Sequence, residues 1–137
     1  MTKSKLDSRV AILMCTYNGA SYLQEQLDSI RAQKYENWHL YVSDDGSQDS
    51  TLDILGNFKS RTGRLCIFQG PKSGFCQNFL SLICDNSIKA DYYALSDQDD
   101  IWYEDKLLRA VTALSGISCE TPALYCSRTK LVDERNN

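Results

Sequence analysis

The chain has 137 residues, 42% hydrophobic and 24% charged, with 15 Lys and Arg against 18 Asp and Glu for a net charge of −3. That composition excludes a disordered or fibrous chain, and folding at this length buries roughly two thirds of the unfolded chain's surface, enough for one domain, 1–137, with a real core. No basic cluster marks a nucleic-acid partner, and the longest early apolar run, Val10 to Cys15, is far too short for a secretion signal or a membrane span, so a cytoplasmic chain without a transmembrane segment is expected.

Residues 1–8 are polar and expected to be flexible. Arg9 to Cys15 is a continuous apolar run bounded by polar residues, the pattern of a strand buried on both faces. After Thr16, Tyr17, Asn18 and Gly19, the stretch SYLQEQLDSIRAQ opens with Ser21 and Gln24 at capping-box spacing and sets Leu23, Leu27 and Ile30 on one helical stripe. Trp38 to Ser43 reads as a second strand; DDGSQDS then turns the chain into TLDILGNF, whose Leu52, Leu55 and Phe58 repeat at helical spacing. Arg64 to Phe68 is a short third strand, QGPKSG a loop, and FCQNFLSLI a helix expected to bury Phe75, Phe79, Leu82 and Ile83. Tyr92 to Leu95 is a fourth strand. Beyond DQDD, YEDKLLRAVTAL places Leu107, Val111 and Leu114 on one side of a helix, with Glu104 and Asp105 where a helix start favours negative charge, and Ala123 to Cys126 reads as a fifth strand. Strands alternating with helices through short connections predict βαβ units with right-handed crossovers, hence an α/β fold: a mainly parallel sheet covered by helices on both faces.

Six cysteines, at 15, 66, 76, 84, 119 and 126, include no C-x-x-C pair and are expected to be free, buried thiols; the single histidine, His39, excludes a histidine-rich zinc site.

In a parallel sheet the C-terminal ends of the strands share one edge, where ligands of open α/β sheets bind. At those ends stand Thr16, Tyr17 and Asn18, then Asp44, Asp45, Gly46 and Ser47, and then Asp97, Asp99 and Asp100. Each group also has a plainer explanation. Asp44, Asp45 and Ser47 could build a turn and cap the next helix, Tyr17 could cover the sheet edge, Trp102 could be core, and Lys72 a solvated charge. A cap, however, uses one side chain, and the turn after the fourth strand carries three carboxylates that repel unless a cation lies among them. Asp97 and Asp99, in D-x-D spacing, suit Mn2+ or Mg2+, which take their remaining ligands from water and phosphate. A carboxylate at Asp44 could accept the imide N–H of a pyrimidine, with Tyr17 against the ring face.

CTYNGASYLQEQLDSI, VSDDGSQDSTLDIL and ALSDQDDIWYEDKL, in this order, resemble the nucleotide-binding half of family 2 glycosyltransferases, over about residues 9 to 133. The resemblance implies the GT-A fold, a Rossmann-like three-layer α/β/α sandwich of the nucleotide-diphospho-sugar transferase type. It implies an inverting hexosyltransferase with a dTDP-, UDP- or GDP-linked sugar as donor and a glycan or lipid-linked acceptor. Asp44 would bind the base, Asp97 the ribose side, and Asp99 the metal bridging the diphosphate, with Asp45 and Asp100 in support. SDQDDIW with GFCQNFLSL before it is similar to the rhamnosyltransferase branch, which builds bacterial surface polysaccharide from dTDP-rhamnose; a full-length enzyme of that kind can associate with the inner face of the membrane. Family members carry their catalytic base in a later, acceptor-binding half. Here Asp133 and Glu134 fall in the last five residues, poor places for a buried base, so none is expected before Asn137 and the chain is expected to be a donor-binding part. Rival readings are a haloacid-dehalogenase-like phosphotransferase, which needs D-x-D near its start, and a receiver-like domain, which needs acidic residues where Thr16 and Tyr17 stand.

Overall fold

The computed structural model describes residues 7–118 and 120–133. Four strands, β1 (Val10–Thr16), β2 (Trp38–Asp44), β3 (Leu65–Gln69) and β4 (Tyr92–Ser96), form one sheet in the order β3-β2-β1-β4, and every adjacent pair is parallel. Four helices follow them: α1 (Leu23–Arg31), α2 (Thr51–Thr62), α3 (Phe75–Ile83) and α4 (Lys106–Leu114). The alternation read from the sequence holds through these eight elements.

β1 is buried along its whole length because it alternates between two apolar layers. Val10, Ile12 and Met14 meet Leu23, Leu27 and Ile30 of α1, Leu55 and Phe58 of α2, and Leu107 and Val111 of α4. Ala11, Leu13 and Cys15 meet Leu82 and Phe79 of α3 on the other face. Three helices therefore cover one face and a single helix the other, and α3 sits over β1 and β2. The α3 side of β4 is bare, with Tyr93 and Leu95 exposed, so that edge of the sheet is covered on one face only.

Several local expectations need correction. Ala123 to Cys126 forms no strand: the segment pairs with no neighbour, and Leu124 is 87% exposed. An apolar run becomes a strand only where a ladder accepts it. On α3, Leu82 is buried with Phe79 partly so, whereas Phe75 is 74% exposed and Ile83 half exposed, because the inward stripe runs through Asn78 and Leu82. Leu52 of α2 likewise faces outward. The Ser21–Gln24 capping box does not form. The start of α1 is served instead by Gly19 O, which accepts from Tyr22 N and Leu23 N, and by Asp49, whose Oδ2 accepts from Ala20 N at 3.0 Å. The described cysteines are free, but only Cys15 is buried; Cys76, Cys84 and Cys126 are exposed. Within the segment expected to be flexible, Asp7 and Ser8 are tied down: Asn37 Nδ2 donates to Asp7 O at 2.7 Å and the Tyr35 hydroxyl to Ser8 O at 2.5 Å. Residues 1–6, Cys119 and Glu134 lie outside the described residues, and Asp133 is exposed.

What aims the turn after β4 is a buried polar strip on α1 and the two residues past its end. Gln26, Ser29 and Gln33 are all buried. Gln26 Nε2 donates to Ser96 Oγ at the end of β4 (2.6 Å), Ser29 Oγ accepts from Trp102 N (3.0 Å), and Gln33 donates through Nε2 to Tyr103 O (2.8 Å) and accepts through Oε1 from Leu107 N (3.0 Å). The segment from Ser96 to α4, which carries all three carboxylates of the D-x-D turn, is thus stitched to α1 and the residues just after it by two amides and a hydroxyl, which satisfy the Ser96 side chain and backbone groups of Trp102, Tyr103 and Leu107. Replacing Gln33 by Leu keeps the volume but orphans the Leu107 N–H and leaves the Tyr103 carbonyl with the Lys106 N–H as its remaining donor; a loss of about 1–3 kcal/mol is expected, measured as a lower urea midpoint.

Candidate functional site

The C-terminal ends of the strands open into a cavity of about 650 Å³, within the range that holds small organic ligands. Its wall is drawn from every strand end: Cys15, Thr16 and Tyr17 after β1; Asp45, Gly46 and Gln48 after β2; Lys72, Gly74, Phe75, Asn78 and Phe79 from the β3–α3 region; and Asp97, Gln98 and Asp99 after β4. The convergence expected from parallel strands is present, and the Asp44 and Asp99 segments share one edge.

The two adjacent aspartates at the end of β2 divide the work between the frame and the cavity wall. Asp44 is 5% exposed and does not reach the cavity wall. Its carboxylate is filled by four donors: Thr16 Oγ1 (2.7 Å) and Ser47 Oγ (2.6 Å) on Oδ2, Gly46 N (3.1 Å) and Ser47 N (2.9 Å) on Oδ1. It locks the ends of β1 and β2 together where Thr16 and Asp44 stand in register. Burial alone would push its acidity down, but the bonds from Ser47, Thr16 and Gly46 outweigh that and hold its pKa below the usual carboxylate value. Asp45 is the one that faces the cavity. Its Oδ1 accepts from Lys72 N at 2.6 Å and its Oδ2 from Gly74 N at 3.1 Å, which fixes the β3–α3 loop as the far wall.

Of the other expected residues, Thr16, Tyr17 (57% exposed), Gly46, Asp97 and Asp99 line the cavity, while Asn18, Ser47 and Asp100 do not. Asn18 is a latch in the left-handed region, φ 46°: its N donates to Ser47 Oγ and its Oδ1 accepts from Gln48 N. Residues that the sequence reading missed complete the frame. Gln98 clasps Tyr17 from both sides of its amide, Oε1 accepting from Tyr17 N at 3.0 Å and Nε2 donating to Tyr17 O at 3.2 Å, so the aromatic ring is carried on a backbone held by the acidic turn. Asn78, 1% exposed, donates from Nδ2 to Ser43 O at 2.9 Å and pins α3 to the end of β2. Gly70 fits only as glycine, since a Cβ there would stand 2.7 Å from Asn78 Oδ1 and 2.8 Å from Asp45 Oδ1. The one available sequence signal for these was placement: Gln98 sits between two aspartates, and Asn78 falls on the inward stripe of α3.

The electrostatics of the acidic turn favour a cation. Burial, then the neighbouring charges of Asp100 and Asp99, push the Asp97 carboxyl above its usual pKa. The Cys15 thiol at the cavity floor is pushed up to about 12 by burial and by Asp45 and Asp97, and is therefore an inert neutral group. No hydrogen bond or ion pair among the described residues engages the carboxylates of Asp97, Asp99 or Asp100, and no cluster of three or more Asp, Glu, His or Cys forms a cage. Two hard oxygen ligands on an open wall fit Mn2+ or Mg2+ held with a phosphate-bearing ligand, and do not fit a self-sufficient metal centre.

The lowered pKa of Asp44 fixes the sign of a pH effect. Its bonds contribute stability above the pKa of the unfolded carboxylate, and that contribution fades as pH falls through the lower folded value. Asp44→Asn is expected to cost about 1–3 kcal/mol near neutral pH, with the gap between variant and wild-type urea midpoints closing below about pH 4.

Comparison with known proteins agrees with this geometry. Residues 11–123 match Glycosyl transferase family 2. The dTDP-rhamnosyl transferase RfbG of Shigella flexneri is 41% identical over 105 residues, covering 74% of this chain and 36% of that protein. An uncharacterized glycosyltransferase of Rickettsia typhi is 28% identical over 137 residues, covering 100% of this chain and 41% of that protein. The chain thus spans well under half the length of these relatives. Among solved structures, the mannosyltransferase PcManGT of Pyrobaculum calidifontis, in complex with GDP-Man and Mn2+, superposes with a TM-score of 0.71 at 24% identity, over 78% of this chain and 32% of that one. TarS of S. aureus in complex with UDP-GlcNAc superposes with a TM-score of 0.66 at 24% identity, over 79% and 31%. These structural likenesses identify the GT-A glycosyltransferase fold, and the family match extends over most of the sequence: the chain belongs to glycosyl transferase family 2.

Proposed function

We propose that this chain binds the nucleoside diphosphate of a sugar donor across the C-terminal edge of its sheet, as the donor-binding part of an inverting glycosyltransferase. The observation that carries the reading is the single cavity whose walls are Tyr17, Asp45, and the Asp97–Asp99 pair. A flat ring, an N–H donor and a metal-chelating diphosphate each find a matching group there. Tyr17 lies against the base, Asp45 takes over the base N–H that the sequence had assigned to Asp44, Asp97 faces the ribose side, and Asp97 and Asp99 hold Mn2+ or Mg2+ against the diphosphate. Asp44, Thr16, Asn18 and Ser47 hold the frame, with Asp100 adding charge at the rim. When bound, the metal supplies positive charge to the departing diphosphate; this chain's own residues bind and orient the donor.

Support for a deoxythymidine donor carrying rhamnose comes from the relative at 41% identity, named as a dTDP-rhamnosyl transferase. The neighbours bound to GDP-Man and UDP-GlcNAc keep guanine and uracil donors in the comparison. The acceptor class that goes with this reading is a glycan or lipid-linked glycan of the bacterial surface. No helix among the described residues is long and apolar enough to cross a membrane, which is compatible with action at the inner face.

Calorimetry with dTDP, UDP and GDP, each with and without Mn2+, tests the site. Metal-dependent heat with at least one of the three is expected, and Asp99→Ala should remove the metal-dependent part of the affinity; equal heats with and without metal for all three would refute the reading. Asp97→Asn should act in opposite directions on two measurements. It relieves repulsion in the acidic turn, so the melting temperature of the metal-free protein rises, and it weakens nucleotide binding in the presence of Mn2+.

A further inference from the structure

Lys72 is the one cationic side chain on the cavity wall among the described residues, and its backbone is held in a conformation that lysine rarely adopts. Its φ is 57°, in the left-handed region uncommon for residues other than Gly, Asn and Asp. Both Asp45 carboxylate oxygens accept backbone N–H groups of its loop, Oδ1 from Lys72 at 2.6 Å and Oδ2 from Gly74 at 3.1 Å. The lysine stem lies across Gly46, itself at φ 97°, where a Cβ would stand 3.1 Å from Lys72 Cε and 3.6 Å from Cδ. No ion pair among the described residues holds the ammonium. A carboxylate, a glycine and an unfavourable φ are thus all committed to laying one lysine along the cavity. A merely solvated charge requires none of them, and backbone outliers of this kind point toward function.

The strand order says which part of a nucleotide Lys72 meets, given that the proposed donor site is right. The β3–α3 loop stands at one end of the row β3-β2-β1-β4 and the Asp97–Asp99 turn at the other. Neighbouring strands lie about 4.8 Å apart, so the two ends are separated by about 14 Å. With the diphosphate at the acidic turn, the base falls beside Asp45 and Lys72.

We propose that Lys72 is a specificity-determining residue that, together with Asp45, selects a base whose edge sets a ring N–H beside a carbonyl. A carboxylate offers about four lone-pair positions, and the two loop N–H groups leave room on Asp45 for the base N–H. The Lys72 ammonium donates to the adjacent carbonyl oxygen. Uracil and thymine present this edge at N3–H and O4, guanine at N1–H and O6. Cytosine and adenine present an unprotonated ring nitrogen beside an amino group, which sets lone pair against carboxylate and N–H against ammonium. A mismatch of that kind leaves polar groups on both sides unpaired and is rejected more strongly than a difference in size.

The test is titration of the whole chain, with Mn2+ present, by UDP, dTDP, GDP, CDP and ADP, for the wild type, Lys72→Met and Lys72→Gly. The wild type should prefer UDP over CDP, or GDP over ADP, by about tenfold or more; whichever oxo base binds more tightly shows whether the pocket takes a pyrimidine or a purine. Lys72→Met removes the charge at similar volume and should lower affinity for the oxo base about tenfold while moving CDP and ADP less than about twofold. Lys72→Gly should do the same to selectivity while raising the melting temperature, because glycine tolerates positive φ; its retained fold separates loss of a contact from loss of structure. A wild type that does not discriminate, or a preference unchanged in both variants, overturns the proposal. So does an equal loss for UDP and CDP, which would assign Lys72 to the diphosphate. If the wild type binds none of the five, the donor-site reading itself falls, and the role of Lys72 with it.

Discussion

β1 hydrogen-bonds to a neighbour on each side, and both neighbours run in its own direction. That parallel pairing is the constraint from which the site follows. A parallel strand must be reached by a crossover, so each connection between strands is a helix that returns the chain to the opposite end, and each strand leaves the sheet at the same edge. Residues far apart in sequence, Thr16, Asp45, Lys72 and Asp97, become walls of one cavity for that reason alone. An antiparallel β4 would carry Asp97 and Asp99 to the other end of the molecule.

Register then sets the detail. Thr16 stands opposite Asp44, and the hydrogen bond between their side chains closes the sheet at the cavity floor. Side chains alternate direction along an extended backbone, so of two adjacent aspartates only one turns inward to the frame. Asp44 is the last residue of β2 and takes the frame; Asp45, one position later, takes the cavity wall. The pair is a supporting carboxylate followed by a presenting one, and the supporting member is the more deeply buried.

The alternation of apolar strands and amphipathic helices was legible in the sequence because it rests on local periodicity, and the shared edge was legible because it follows from topology. Phe75 and Leu124 mark where that kind of reading stops. Apolar residues at the right spacing were expected inside, but whether a stripe is buried depends on what lies opposite it, and α3 covers β1 and β2 while the described segment after α4 pairs with no strand. The roles of Gln26, Gln33, Gln98 and Asn78 were not legible at all. Each is an amide whose partners lie in another element, for instance 81 residues away for Gln98 and Tyr17, and nothing local distinguishes such an amide from a solvated one. The division between Asp44 and Asp45 was hidden for a related reason: both aspartates of the pair satisfy the motif, and only the bond network tells the buried one from the one on the cavity wall.

The acidic turn and the polar strip along and just past α1 belong to one design problem. Three carboxylates within four residues repel one another, and Asp97 bears the strain as a raised pKa caused by burial and by its two neighbours. A turn under that repulsion would spread unless held, and Gln26, Ser29 and Gln33 hold it by the Ser96 hydroxyl and by the backbone at Trp102, Tyr103 and Leu107, leaving the carboxylates themselves without partners in the described structure. Rigidity is supplied by amides and a hydroxyl that carry no charge, so the charge stays available. Had arginine or lysine done the same work, the turn would be more stable and its carboxylates already neutralised, and the metal and diphosphate proposed for this site would have to displace an internal ion pair before binding.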